Sequence, residues 1–177
     1  MNSDTPDTMT GDPPIDVGSG TWPVVEIDPV AKLRALAAGI PLAVVDEALF
    51  DVPFERFWDF VGDLEKSTPR IEGSVHGVRI LERRGDDRLR LEIRTLIGTR
   101  DEFEVVLRPG YCIMQSGRAV VGMAARPEGP HRTRYFHFEG ARRFRWFLRP
   151  ILAWNIRQDF RRLRRLLERE SDPTGRA

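Results

Sequence analysis

The sequence predicts an α+β domain in which a curved antiparallel sheet of about seven strands wraps around one long C-terminal helix, with two short helices after the first strand. Three observations carry this reading. The segment 149–170, RPILAWNIRQDFRRLRRLLERE, gathers Leu152, Ile156, Phe160, Leu163, Leu166 and Leu167 on one side of a helical wheel. Arg157, Arg161, Arg164 and Arg165 gather on the other. Between about residues 76 and 139 the apolar period becomes two, the signature of strands with one wet face. Between the apolar run 42–50 and those strands, two short stretches have helical spacing. A helix about 30 Å long with a continuous apolar stripe must bury it, and the strands supply the surface.

Taken in order, residues 1–25 are rich in Asp, Pro, Gly, Ser and Thr and poor in core-forming residues, so they read as a disordered acidic tail. Residues 26–41 hold a short helix and a linker. Asp28 caps its free N–H groups, Pro29 fits the first turn and Gly39 stops it. The domain proper spans 42–171, opening with the strand LAVVDEALF at 42–50. Pro53 starts a helix with Phe54, Phe57, Trp58 and Val61 at helical spacing, which Gly62 ends. Asp63 caps one further turn, Leu64 to Thr68, closed by Pro69. Strands follow at about 76–82, 88–97, 102–108, 111–116, 119–126 and 132–139, parted by turns rich in Gly, Pro and Asp. Residues 172–177 read as a second disordered tail.

Composition narrows the classes. A chain of 177 residues is long enough to bury a real core. It has no uncharged run able to cross a bilayer and no basic start followed by an apolar stretch, so a cytoplasmic protein is expected. Cys112 is the sole cysteine, which excludes an internal disulfide, and its neighbours Tyr111 and Ile113 suggest a buried, inert thiol. His76, His131 and His137 lack ligand spacing, so neither a metal nor another cofactor is expected. The net charge of +1 conceals an acidic start, with Asp4, Asp7, Asp12, Asp16, Glu26 and Asp28 before the first basic residue, Lys32, and an arginine-dense end. A near-neutral total argues against a nucleic-acid partner. Oligomeric state leaves no mark on the sequence.

The stretch LFDVPFERFWDFVGDLEKSTPRI resembles the first strand and paired helices of the START-like superfamily, also called SRPBCC, particularly its polyketide cyclase/dehydrase and lipid-transport branch. The closing FEGARRFRWFLRPILAWNIRQDFRRLRRLLE is similar to that family's last strand, lip and gripping helix. Over roughly residues 42–170 the resemblance implies the helix-grip fold and a cavity for a hydrophobic or polycyclic small molecule. Some family members catalyse aldol-type cyclisation or dehydration, and many only bind or carry. The expected function is therefore a carrier or binding protein for a lipid- or polyketide-like ligand. A cofactor-free cyclase, aromatase or dehydratase is the alternative.

Candidate residues follow from the inner faces. An apolar cavity gains affinity at about 25 cal/mol per Å² removed from water, and the few polar groups inside select orientation. Leu91, Ile93, Phe103 and Val105 are the expected apolar lining from the sheet. Asn155, Asp159 and Arg162 share one flank of the last helix. There they would rim the cavity, with Asp159 as an acid or base, or Asp159 and Arg162 would form a surface pair. The strand 132–139 has two possible phases. Phe136 and Phe138 inward, which their apolarity favours, makes Arg134 the polar group of the cavity. The opposite phase lines it with Tyr135, His137 and Glu139, either a proton-transfer set or a structural ladder. Trp146, Phe147, Leu148 and Trp154 cluster near the family's lip. Mixed with Arg143, Arg145, Arg149, Arg157 and Arg161, they make either a solvated arginine face or a surface that seeks an anionic membrane, the second candidate partner.

Overall fold

The computed structural model describes residues 27–141 and 149–171. The tails at 1–25 and 172–177 and the aromatic segment around Trp146 lie outside the described residues. The element order is α1 (Pro29–Ala38), β1 (Val44–Phe50), α2 (Phe54–Val61), α3 (Leu64–Ile71), β2 (Val75–Arg84), β3 (Arg88–Thr95), β4 (Arg100–Arg108), β5 (Tyr111–Gln115), β6 (Ala119–Pro127), β7 (Thr133–Ala141) and α4 (Arg149–Ser171). The strands form one antiparallel sheet in the order β1-β7-β6-β5-β4-β3-β2, so β1 and β2 are its edges. This is the predicted sheet of seven strands, with the long helix last and two short helices after β1.

Local chemistry sets the boundaries. The Asp28 carboxylate accepts the N–H groups of Val30 and Ala31 at 3.0 and 3.1 Å, satisfying donors the first turn of α1 leaves free. Gly85, Gly98, Gly110 and Gly129 take positive φ at the strand turns, a region closed to most side chains. Several boundaries differ from expectation. β1 starts at Val44 rather than residue 42, β2 runs on to Arg84, and β3 stops at Thr95, which leaves Ile97 exposed in the turn instead of continuing the strand's buried face. α3 runs through Pro69 to Ile71 instead of stopping at Thr68. Pro69 removes one N–H, but the turn survives because Glu72 N–H bonds to Thr68 O at 2.8 Å and Thr68 and Ile71 are buried.

The stripe of α4 is buried as expected. Ile156, Phe160, Leu163 and Leu167 sit in the main core with Phe50, Phe57, Leu91, Phe103, Val105, Met114 and Tyr135. A second core lies on the opposite face of the sheet. There α1 lays Val30, Leu33 and Ala37 over Ala124, Phe136 and Phe138. β6 and β7 are therefore covered on both sides, and α1 is a layer of the fold.

That layer reverses the phase that apolarity favours for β7. Phe136 and Phe138 point away from α4 into the α1 core, and Arg134 pairs on the same outer side with Glu47 at 2.9 Å and Glu128 at 2.6 Å. Tyr135 and His137 face α4. The physical reason is simple: an apolar residue in a strand marks a covered face, and here both faces are covered.

Candidate functional site

Between the sheet, α3 and α4 lies a pocket lined by Val61, Ser67, Thr68, Ile71, Glu72, Met123, Tyr135, His137, Asp159, Phe160 and Leu163. Its walls are mostly apolar, but four ionisable groups meet in it. β7 delivers Tyr135 and His137, because residues two apart share a face. The C-cap of α3 delivers Glu72, and the flank of α4 delivers Asp159.

Burial and mutual proximity shift all four. Loss of solvent raises Glu72 well above the usual carboxylate range, with the Glu139 charge adding to it and His137 opposing. Burial raises Asp159 to about 6, against the Gly73 N–H that bonds its Oδ1 at 3.3 Å and so favours the charged form. For His137, burial alone would lower the value. The Glu139 hydrogen bond at 3.4 Å and the charges of Glu139, Glu72 and Asp159 outweigh it, so the imidazole holds its proton to higher pH than usual. The Tyr135 phenol is pushed well above its normal range, chiefly by desolvation. Nδ1 of His137 is buried and has no hydrogen-bond partner among the described residues. Near neutrality the floor is thus rich in donors: a protonated carboxyl, a phenol and an imidazole. Such a set suits a ligand carbonyl or phenolate oxygen set in apolar surroundings.

Other expectations are redistributed. Leu91, Ile93, Phe103 and Val105 are buried, yet they fill the main core and do not line the pocket. Arg134 and Phe136 belong to the outer face, as described. Asn155 is half-buried outside the pocket wall, and Trp146 lies outside the described residues. Asp159 does form the expected pair with Arg162, at 3.4 Å, but its carboxyl also sits in the pocket wall with 14 % of the side chain exposed. Cys112 is fully buried, and desolvation raises its thiol to about 12, which leaves it unreactive at ordinary pH. Sequence reasoning missed Glu72. With α3 ended at Pro69, no face was assigned to residue 72, and the helical spacing of the buried Leu64, Ser67, Thr68 and Ile71 is the signal that carries the helix up to it.

The expected oily chamber is largely filled by its own side chains. Free volume in the pocket is about 20 Å³, room for roughly one water. A larger ligand therefore has to part α4 from the sheet or turn Tyr135 and Phe160 aside.

No protein-family model matches the chain, and no curated protein matches it by sequence. Solved structures do match. A START superfamily protein from Mycobacterium smegmatis superimposes with a TM-score of 0.55 at 16% identity, covering 72% of this chain and 97% of that one. The chain has the START-like, helix-grip fold. An aromatase/cyclase, Zhui, from a Streptomyces species gives a TM-score of 0.55 at 15% identity over 76% of this chain and 98% of its own. A protein from Thermus thermophilus gives 0.53 at 19% identity over 70% and 94%. In START-like terms, α1 is the layer on the outer face of the sheet and the ionisable pocket lies under the gripping helix.

Proposed function

We propose that this START-like protein binds a hydrophobic or polycyclic small molecule bearing a hydrogen-bond acceptor, lipid- or polyketide-like, between the sheet and α4. It acts as a carrier or binding protein. The observation that supports this reading is the convergence of Glu72, Tyr135, His137 and Asp159 inside apolar walls. Burying ionisable groups costs free energy, and a set of donors aimed at one spot is how an apolar pocket orients a ligand. A ligand burying 200 Å² of apolar surface gains roughly 5 kcal/mol, part of which is spent in parting α4 from the sheet. Native mass spectrometry of the purified protein should find a bound hydrophobic species, and a hydroxyanthraquinone probe should bind with an affinity that Tyr135→Phe and His137→Ala reduce about tenfold each, one lost hydrogen bond apiece. No bound species and no binding of either a hydroxyanthraquinone or a long-chain fatty acid would remove the reading.

A second reading is favoured by the titration of Asp159 near 6 beside His137. Groups poised close to neutrality transfer protons efficiently, so the same pocket suits cofactor-free cyclisation or dehydration of a polyketide-type ketone. Tyr135 would hold the carbonyl, and Asp159 or His137 would move the proton. In that case Asp159→Asn or His137→Gln lowers turnover far more than it lowers probe binding, whereas a pure carrier shows no turnover to lose.

A further inference from the structure

One end of the sheet collects exposed apolar side chains, and arginines without an ion pair among the described residues, that the pocket does not use. Register fixes which segments meet there. Val44 opposes Glu139, Ala119 opposes Ala141 and Arg94 opposes Arg100, so the start of β1, the β5–β6 turn and the β3–β4 hairpin tip share that end. Ser116 Oγ bonds Asp101 at 2.8 Å, tying the β5–β6 turn to the start of β4. The first turns of α4 join them. Arg149, Pro150, Ala153 and Arg157 lie beside Leu42, Val44 and Val45. On the other flank, Asp159 bonds Gly73, and the next residue, Ser74, accepts the Leu96 N–H at 2.9 Å.

Apolar exposure is concentrated here. Ile97, at the hairpin tip, is 87% exposed, Leu96 65%, Trp154 60% and Ile151 56%. Leu42 is exposed with a φ of 61°, a left-handed conformation that is unfavourable for leucine. Ile151 and Trp154, three residues apart, share the outer side of α4. Arg100, Arg118, Arg149 and Arg157 are exposed and make no ion pair among the described residues, in contrast to the many arginines bound to carboxylates on the faces of the sheet.

We propose that this end docks on an anionic lipid surface, with Ile97, Leu96, Ile151 and Trp154 inserting at headgroup depth and Arg100, Arg118, Arg149 and Arg157 meeting the phosphates. Single bulky residues projecting from a hairpin and a helix, interspersed with unpaired cations, suit a fluid interface. A protein partner would instead call for a continuous packed patch. The surface is independent of the pocket chemistry, although a carrier of apolar cargo would gain from it.

The test is co-sedimentation of the full chain with phosphatidylcholine vesicles, with and without phosphatidylserine, at low and high salt. Binding should require phosphatidylserine and weaken with salt. Ile97→Asp with Trp154→Ala should lower the partition coefficient about tenfold or more at low salt, and Arg100→Glu with Arg118→Glu should erase the lipid preference. Arg169→Glu, near the far end of α4, should change little. Tyr135→Phe should leave vesicle binding intact, so failure here and failure of the pocket reading are separable. The proposal is overturned by absence of sedimentation, or by equal loss in the Arg169→Glu control, which would mark diffuse charge attraction. It is also overturned if sedimentation velocity shows a dimer that Ile97→Asp dissociates while vesicle binding stays unchanged, which would make the surface a self-association site.

Discussion

Asp159 accepts the Gly73 N–H and pairs with Arg162 while its carboxyl stands in the pocket wall. Its folded value near 6 lies above the ordinary 3.8, so between pH 4 and 6 the folded chain holds a proton that the unfolded chain has released. Stability therefore falls as pH rises through that window. The effect is at most about 3 kcal/mol, less after screening of the exposed edge. Glu72 and His137 are raised as well, so Glu72 adds to the decline from about 4.5 up to about 8 and His137 adds to it above pH 6.5. Surface carboxylates such as Glu47 and Glu128, lowered chiefly by hydrogen bonds to Arg34 and Arg134 respectively, act oppositely, and their contribution is lost below about 4.5. Denaturant titrations across pH should show the slope between 4 and 6 flatten in Asp159→Asn, which keeps an acceptor for Gly73 but cannot ionise. At Gly122, a Cβ would lie 2.2 Å from the Phe138 ring, which is fully buried and has nowhere to go. Gly122→Ala should cost about 1–3 kcal/mol in urea melts through overpacking.

Among the elements, α1 changes the most relative to its sequence appearance. Ten residues with a weak apolar pattern would be marginal as an isolated helix, yet Leu33 is fully buried against the sheet. Leu33→Ala should cost about 2–5 kcal/mol, read by thermal or chemical unfolding, whereas an appendage would cost almost nothing. Asp28→Ala, removing the cap, should cost about 1 kcal/mol. The same layer explains why β7 misleads. Its pattern is apolar on both faces because α4 covers one and α1 the other, so alternation no longer tells inside from outside. β3 and β4, with one wet face, could be read from Leu89, Leu91 and Ile93 against Arg88, Arg90 and Arg94, and from Phe103 and Val105 against Glu102 and Glu104.

Among the described residues the sheet has two open edges, and both are guarded by side chains. On β1, Arg164 of α4 bonds Leu49 O at 3.1 Å and Asp46 accepts the Glu47 N–H at 2.9 Å. On β2, Glu65 of α3 accepts the Ile80 N–H at 2.8 Å. Unpaired edge groups template association between chains. Glu65→Ala combined with Arg164→Ala should therefore raise concentration-dependent association, measured by light scattering, before it lowers the unfolding midpoint appreciably. No described helix is long and apolar enough to cross a membrane.

Period and punctuation in the sequence determined the order of elements, the antiparallel sheet and the buried stripe of α4, because those signals are local and each residue's neighbours along the chain report them. They also brought Tyr135, His137 and Asp159 into consideration. Tertiary structure decided which face of β7 meets α4, that Glu72 completes the ionisable cluster, and that the space beneath the helix has shrunk to the size of a water molecule. Those outcomes depend on what packs across from a residue, and on how tightly side chains from distant segments fill one volume, which spacing along a chain does not encode.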